Sequence, residues 1–267
     1  MRLNRLLWVV IGCISLAAGD ACLAQSPYEL ESRREWILLG GGAALGVSAA
    51  IIIENVDPLT IAEIDQLDPD DVNRFDRPAI KPYRETRAGD ALMYASYALP
   101  LTLLFRQDTG PDWKRLGVMW GQVTLINLGL NGVLKGLTLR TRPYAYDPET
   151  PLEEKTTATA RMSFYSGHTS SAAANCFFVA KVLNDHLTNK RAKAFVWAGA
   201  AVYPALTAYL RRDSGHHFRT DVITGYWMGA LVGYIVPWLH RSGVGKHVTL
   251  YPTAARGTAG VAVDIAF

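Results

Sequence analysis

Five apolar segments, 91–105, 116–134, 170–182, 194–210 and 222–239, recur along the chain, and a sixth, 36–53, precedes them. Each exceeds ordinary strand length and is rich in Ala, Leu and Gly, so each is predicted to be a helix. Pro100, Pro204 and Pro237 fall inside three of the runs and predict kinks or ends there. Beyond 247 the period changes: Val248-Thr-Leu-Tyr and Gly260-Val-Ala-Val-Asp-Ile-Ala-Phe267 alternate around Ala254-Ala-Arg-Gly257, as in a hairpin. The pattern predicts an all-α bundle of about six helices with a small C-terminal β-hairpin.

The flanking segments set the organisation. Arg2 and Arg5 precede the apolar run 6–18, and Ala21-Cys-Leu-Ala24 offers small side chains for cleavage before Gln25, so residues 1–24 read as a signal peptide. The alternative is an uncleaved anchor. Val10-Ile-Gly-Cys13 looks like a lipoprotein box, but too few apolar residues precede it. Residues 25–88 are expected to form an N-terminal helix and acidic loop packed on the bundle, 89–242 the helical bundle itself, and 243–267 a hairpin tail of the same domain. In the run 36–53, Gly40, Gly41 and Gly42 mark either a break or a close helix contact. Thr60 and Glu63 have capping-box spacing. Asp68, Asp70, Asp71, Asn73 and Asp76 lack the glycine and final Glu of a calcium loop and read as a solvated acidic segment.

Composition excludes some function classes. A net charge of +3 with both signs interspersed leaves no basic stripe for nucleic acid. Of three cysteines, Cys13 and Cys22 lie in the signal, so the mature chain keeps Cys176 and has neither an internal disulfide nor a cysteine zinc site.

Three polar islands interrupt the apolar runs: Lys135-Gly-Leu-Thr-Leu-Arg-Thr-Arg142-Pro143, Ser163-Phe-Tyr-Ser166-Gly167-His168-Thr169, and Leu210-Arg-Arg-Asp-Ser-Gly-His-His217-Phe-Arg-Thr-Asp221. A helix beginning near His217 places its imidazole and the Asp221 carboxylate on one face. A carboxylate that fixes the tautomer of an imidazole makes it a nucleophile toward phosphorus, and the Arg211 fork suits a phosphate beside it. Taken singly, the same residues read as a polar helix cap, charges at a helix end, or a capping serine. His216 is the nearest rival to His217 and is expected at the rim; Arg140, Arg212 and Arg219 are expected to support the site or face solvent. In an up-and-down bundle all three islands reach one end.

Together the islands resemble the signature of the type 2 phosphatidic acid phosphatase family, PAP2, which also contains bacterial acid phosphatases and vanadium haloperoxidases. The family pattern is Lys, six residues, Arg-Pro; then Pro-Ser-Gly-His; then Ser-Arg, five residues, His, three residues, Asp. Lys135, Arg142, Pro143, Ser166, Gly167, His168, Arg211, His217 and Asp221 match it, whereas Tyr165 replaces Pro and Leu210 replaces Ser. The resemblance implies that Lys135, Arg142 and Arg211 bind phosphate with help from Ser166 and the Gly167 amide. It implies that His217 attacks, Asp221 orients it, and His168 protonates the leaving group, with no metal. The implied activity is hydrolysis of a lipid phosphate or diphosphate. Alternatives are a haloperoxidase holding vanadate as cofactor, a soluble periplasmic acid phosphatase, or a noncatalytic anion- or lipid-binding membrane protein.

The membrane is an expected partner, because several runs approach spanning length with Trp or Tyr near their ends. Gln122, Asn127 and Asn131 inside a run weigh against this unless they face the bundle interior. Arg106, Lys114, Arg115, Lys190, Arg191 and Lys193 occupy the connections opposite the islands, so a membrane-embedded bundle directs the islands to the periplasm. One parity condition follows. With residues 1–24 cleaved and 36–53 crossing, the islands face the cytoplasm instead; a periplasmic site requires that 36–53 not cross, that 1–24 stay inside, or that the domain be soluble.

Overall fold

The six apolar runs between 36 and 239 are helical in the computed structural model, which describes residues 26–243, 248–255 and 258–265. The predicted signal segment and its two cysteines lie outside the described residues. The helices are α1 (Ser32–Glu54), α2 (Arg87–Ala98), α3 (Trp113–Thr138), α4 (Gly167–His186), α5 (Lys190–Asp213) and α6 (Arg219–Leu239). Strands β1 (Val248–Ala255) and β2 (Thr258–Ile265) form an antiparallel pair, with Val248 opposite Ile265 and Ala255 opposite Thr258. The run 91–105 is not one helix. It ends at Ala98 and continues as a 3₁₀ segment, Pro100–Phe105, because Pro100 lacks the N–H an α-helix needs there. Pro204 and Pro237, by contrast, are accommodated inside α5 and α6.

The core is built around α4. Its small residues Ser170, Ser171, Ala172, Ala173 and Ala174 are all buried, which lets neighbouring backbones come close. Gly225, Gly229 and Gly233 of α6 lie against it: a Cβ at these positions would stand 2.6, 2.1 and 2.3 Å from the carbonyl oxygens of Ser166, Ser170 and Ala174. Toward the far end, Leu103, Met119, Val123, Phe178, Val182 and Leu183 close the interior. Helix α1 runs beside α3 in the same direction, with Leu45 over Gly129, Ala49 over Gly132 and Ile52 over Gly136. Gly40 to Gly42 therefore do not break it, and Gly42 makes a close contact with Leu125 and Ile126.

These contacts give an alternating bundle. The C-terminal ends of α1, α3 and α5 and the N-terminal ends of α2, α4 and α6 meet at one end, where the three islands are. At the other end Tyr28 pairs with Arg241, and the Glu29 amide donates to the His240 carbonyl at 2.8 Å. Buried His240 bonds Glu35 through Nε2 at 2.8 Å and Val236 O through Nδ1 at 2.7 Å, while Gln122 also donates to Glu35. Much of the outer face is apolar: Trp36, Val47, Leu137, Phe195, Val202 and Trp227 are each more than half exposed. Ser32–Glu54 and Arg219–Leu239 are long and apolar enough to cross a membrane.

The segment 55–86 packs over the island end. Thr60 and Glu63 form the expected capping box, with the Thr60 amide donating to Glu63 at 2.9 Å and the Glu63 amide to Thr60 Oγ1 at 3.3 Å. Asp76 departs from its expectation as a solvated residue. It is fully buried, because it accepts hydrogen bonds from Arg140 Nη2 at 2.8 Å and from Thr220 Oγ1 at 2.7 Å.

Candidate active site

Helix α3 stops at Leu139, whose left-handed φ of 43° turns the chain just after Lys135. The turn delivers Arg142 into a cage of backbone carbonyls: Nε donates to Thr159 O at 2.8 Å, Nη2 to Met162 O at 3.4 Å and Nη1 to His216 O at 3.4 Å. Neutral acceptors hold the guanidinium in place without cancelling its charge. Arg211, in the last turn of α5, donates through Nη1 to Thr86 Oγ1 at 2.8 Å and to Asp90 Oδ1 at 3.1 Å, and its buried Nε has no partner among the described residues. Lys135 Nζ lies beside the start of α4, 3.7 Å from where a Cβ on Gly167 would stand. The three cations are near enough to act on one another electrostatically.

Between α5 and α6 the loop turns at Gly215, whose φ of +75° disfavours a side chain and where a Cβ would stand 2.6 Å from Lys81 O. His217 follows, buried and two residues before the first residue of α6, so the helix begins slightly later than expected. Burial, followed by the fields of Arg142, Arg211 and Lys135, holds His217 well below the usual histidine range, and its imidazole is neutral. Its Nδ1 is 3.7 Å from Asp221 Oδ2, near enough for an electrostatic contact but too far for a hydrogen bond. Asp221 spends its oxygens elsewhere. Oδ2 accepts from Ser163 Oγ at 2.5 Å and the Phe218 amide at 2.8 Å, and Oδ1 from Arg140 Nη1 at 2.5 Å.

His216 is not at the rim. It is buried against Tyr83 and Tyr144, with ring centroids 5.0 and 5.9 Å away, and its Nδ1 meets Ser214 Oγ at 2.8 Å. Burial and the charges of Arg211 and Arg142 lower its pKa to about 2. Sequence adjacency to His217 could not show this, because the two tyrosines come from distant segments.

Ser166 caps α4, its Oγ accepting from Thr169 Oγ1 at 3.0 Å and from the Thr169 amide at 3.4 Å. Its own amide donates to Asp221 O at 3.1 Å, which ties the start of α4 to that of α6. Gly167 is required by the crossing of α3: a Cβ would come within 2.7 Å of Asn131 Oδ1, while Asn131 Nδ2 is committed to Tyr165 O at 2.8 Å. His168, in the first turn, meets Asp90 Oδ1 through Nε2 at 2.8 Å.

All eight expected residues, Lys135, Arg142, Ser166, Gly167, His168, Arg211, His217 and Asp221, thus come to one end of the bundle. His168 and His216 also lie within electrostatic reach of the cations and of each other. Sequence reasoning missed Thr86, Asp90 and Thr220, and it gave Asp76, Asn131 and Ser163 no place in the site. Arg140 proves to be a support, bridging Asp76 and Asp221 and lying 4.2 Å from the Phe218 ring centroid. Arg219 reaches outward over Phe75. Ser163 sat in a noted island, but nothing local marked its partner.

Fold and site define a helical bundle with a cationic end that carries three imidazoles, those of His168, His216 and His217. The PAP2 superfamily model matches residues 112–243, which contain all eight of those positions, and over this segment the chain is similar to the PAP2 superfamily. A solved structure described as the first transmembrane PAP2 type phosphatidylglycerolphosphate phosphatase from Bacillus subtilis is 24% identical, with a TM-score of 0.45. It covers 73% of this chain and 93% of its own. No curated protein matches.

Proposed function

We propose that the protein is a phosphatase that hydrolyses a lipid phosphate or diphosphate, through a phosphohistidine, at the end of a membrane-embedded bundle. The observation that carries this reading is a neutral, buried His217 facing Lys135, Arg142 and Arg211. Three cations suit the charge gathering on phosphoryl oxygens in the transition state, and a neutral imidazole has the lone pair the attack requires. With Nδ1 turned to Asp221, Nε2 forms the bond to phosphorus as the bond to the leaving oxygen breaks. His168 gives that oxygen its proton, then takes one from the water that cleaves the P–N bond and releases phosphate. The Ser166 hydroxyl and the free amides opening α4 add donors for the same oxygens.

The apolar outer face supports a lipid setting, and a hydrocarbon chain could lie beside the bundle while the phosphate enters its end. We place that end on the periplasmic side. Several cations near it are committed to internal pairs, Arg77 with Asp70, Lys81 with Asp213 and Arg161 with Glu63. The test is phosphate release by purified protein from a panel of lipid and water-soluble phosphates, with His217→Ala beside the parent. Loss in the variant and preference for lipid substrates are expected; equal release by parent and variant would refute the reading.

A further inference from the structure

The first turn of α2, outside the segment that matches the family, reaches into the site. Thr86 Oγ1 and Asp90 Oδ1 both accept from Arg211 Nη1, and the backbone at Gly89 lies against the Arg211 side chain, where a Cβ would be 3.2 Å from Cδ. The same Asp90 oxygen meets His168 Nε2 at 2.8 Å. One carboxylate oxygen therefore joins the imidazole to a phosphate-binding arginine. Asp90 makes no side-chain cap to its own helix, and its side chain is 41% exposed, so burial does not explain its placement.

We propose that Asp90 is a positioning residue for hydrolysis, one that fixes the tautomer and orientation of His168 and supports its protonated form while the leaving oxygen departs. This rests on the reading of His168 as the proton donor. A carboxylate only accepts, so Nε2 must carry hydrogen and Nδ1 is left to work on the substrate. Protonated Nδ1 gives its hydrogen to the leaving oxygen; neutral Nδ1 then takes one from the attacking water. The groups facing His168 are Arg211 from α5, Lys135 from α3, His216 from the loop before α6 and Asp90 from α2. Asp90 is the one anion among them, and without it an imidazolium would meet only cations and a neutral ring.

The test compares Asp90→Asn and Asp90→Glu with the parent on two substrates, phosphatidic acid and p-nitrophenyl phosphate. An alkoxide needs a proton to leave and nitrophenolate does not, so loss of a proton donor's support weighs on the lipid substrate. Asp90→Asn is expected to lower kcat on phosphatidic acid roughly 10- to 100-fold, part of the range general acid catalysis spans, with KM little changed. The loss on p-nitrophenyl phosphate should be several-fold smaller. The alkaline limb of the kcat profile should move to lower pH, and Asp90→Glu should recover part of the rate. Equal losses on both substrates with an unmoved limb would overturn the proposal alone, as would a faster Asp90→Asn enzyme, which would make the carboxylate a competitor for phosphate. No phosphate release from either substrate by the parent would overturn the hydrolase reading and the role of Asp90 with it.

Discussion

Two buried imidazoles link the site to the stability of the protein. His216 and His217 stay neutral when folded, whereas in the unfolded chain each takes up a proton as pH falls below about 6.5. A folded pKa below the unfolded one means that the unfolded state binds more protons in that window, so stability is lost as pH falls. Between roughly pH 6.5 and 5, each imidazole should contribute a slope that rises from about 0.7 to about 1.4 kcal/mol per pH unit. Thermal melts across that window are expected to show the decline, and His216→Gln to remove the share that His216 contributes; an unaltered slope in the variant would contradict the assignment. Gly167 offers a second check. Gly167→Ala drives a methyl against Asn131 Oδ1, and Asn131 cannot yield without releasing Tyr165 O. Overpacking of this kind costs about 1–3 kcal/mol, and phosphate release should fall with the melting temperature. The motif residues were legible because their spacing is fixed within short islands. Asp76 and Asp90 were not, since each finds its partner from a remote segment and nothing local distinguishes it from a surface charge.

Helix positions were legible from the apolar runs, but the way helices meet was not. A period of four in Gly225, Gly229 and Gly233 marks a face on which another backbone lies, yet only the structure shows that face to be α4. Gly229 is the tightest of the three, so Gly229→Ala should push α6 off α4 and strain the Ser166 amide bond to Asp221 O. We expect a loss of about 3 kcal/mol or more, together with most of the activity. Gly199 of α5 has open space around it, and Gly199→Ala should be neutral or stabilising by up to about 1 kcal/mol. Melting of both variants decides this, and similar behaviour in the two would disprove the close packing. At the far end, the buried His240 ring is held between the Val236 carbonyl and the Glu35 carboxylate. Glu35→Ala removes the partner of His240 Nε2 and of the Gln122 amide and should release the start of α1 from the end of α6, at a cost of about 1–3 kcal/mol for a buried group left unsatisfied.

At the scale of the molecule, the parallel course of α1 and α3 narrows the parity problem posed by the sequence. Because Leu45, Ala49 and Ile52 follow Gly129, Gly132 and Gly136 in step, α1 extends from the His240 end to the end that holds His217, as α3 does. It is therefore not a helix that merely lies along the bundle. If the bundle crosses a membrane, Tyr28 and Arg241 are on one side and the cationic site on the other. A periplasmic site then requires residues preceding Ser32 to remain on the cytoplasmic side, whereas a signal removed in the periplasm would turn the site inward. Single cysteines at Phe105 and at Glu149, both exposed and at opposite ends, separate these cases in a background where Cys13, Cys22 and Cys176 are all replaced by Ala. In intact cells, a membrane-impermeant maleimide is expected to label Glu149→Cys and to reach Phe105→Cys only after permeabilisation. The reverse pattern would place hydrolysis on the cytoplasmic face. Labelling of both, with the protein released by osmotic shock, would remove the membrane from the account, and the apolar outer face would then require another cover.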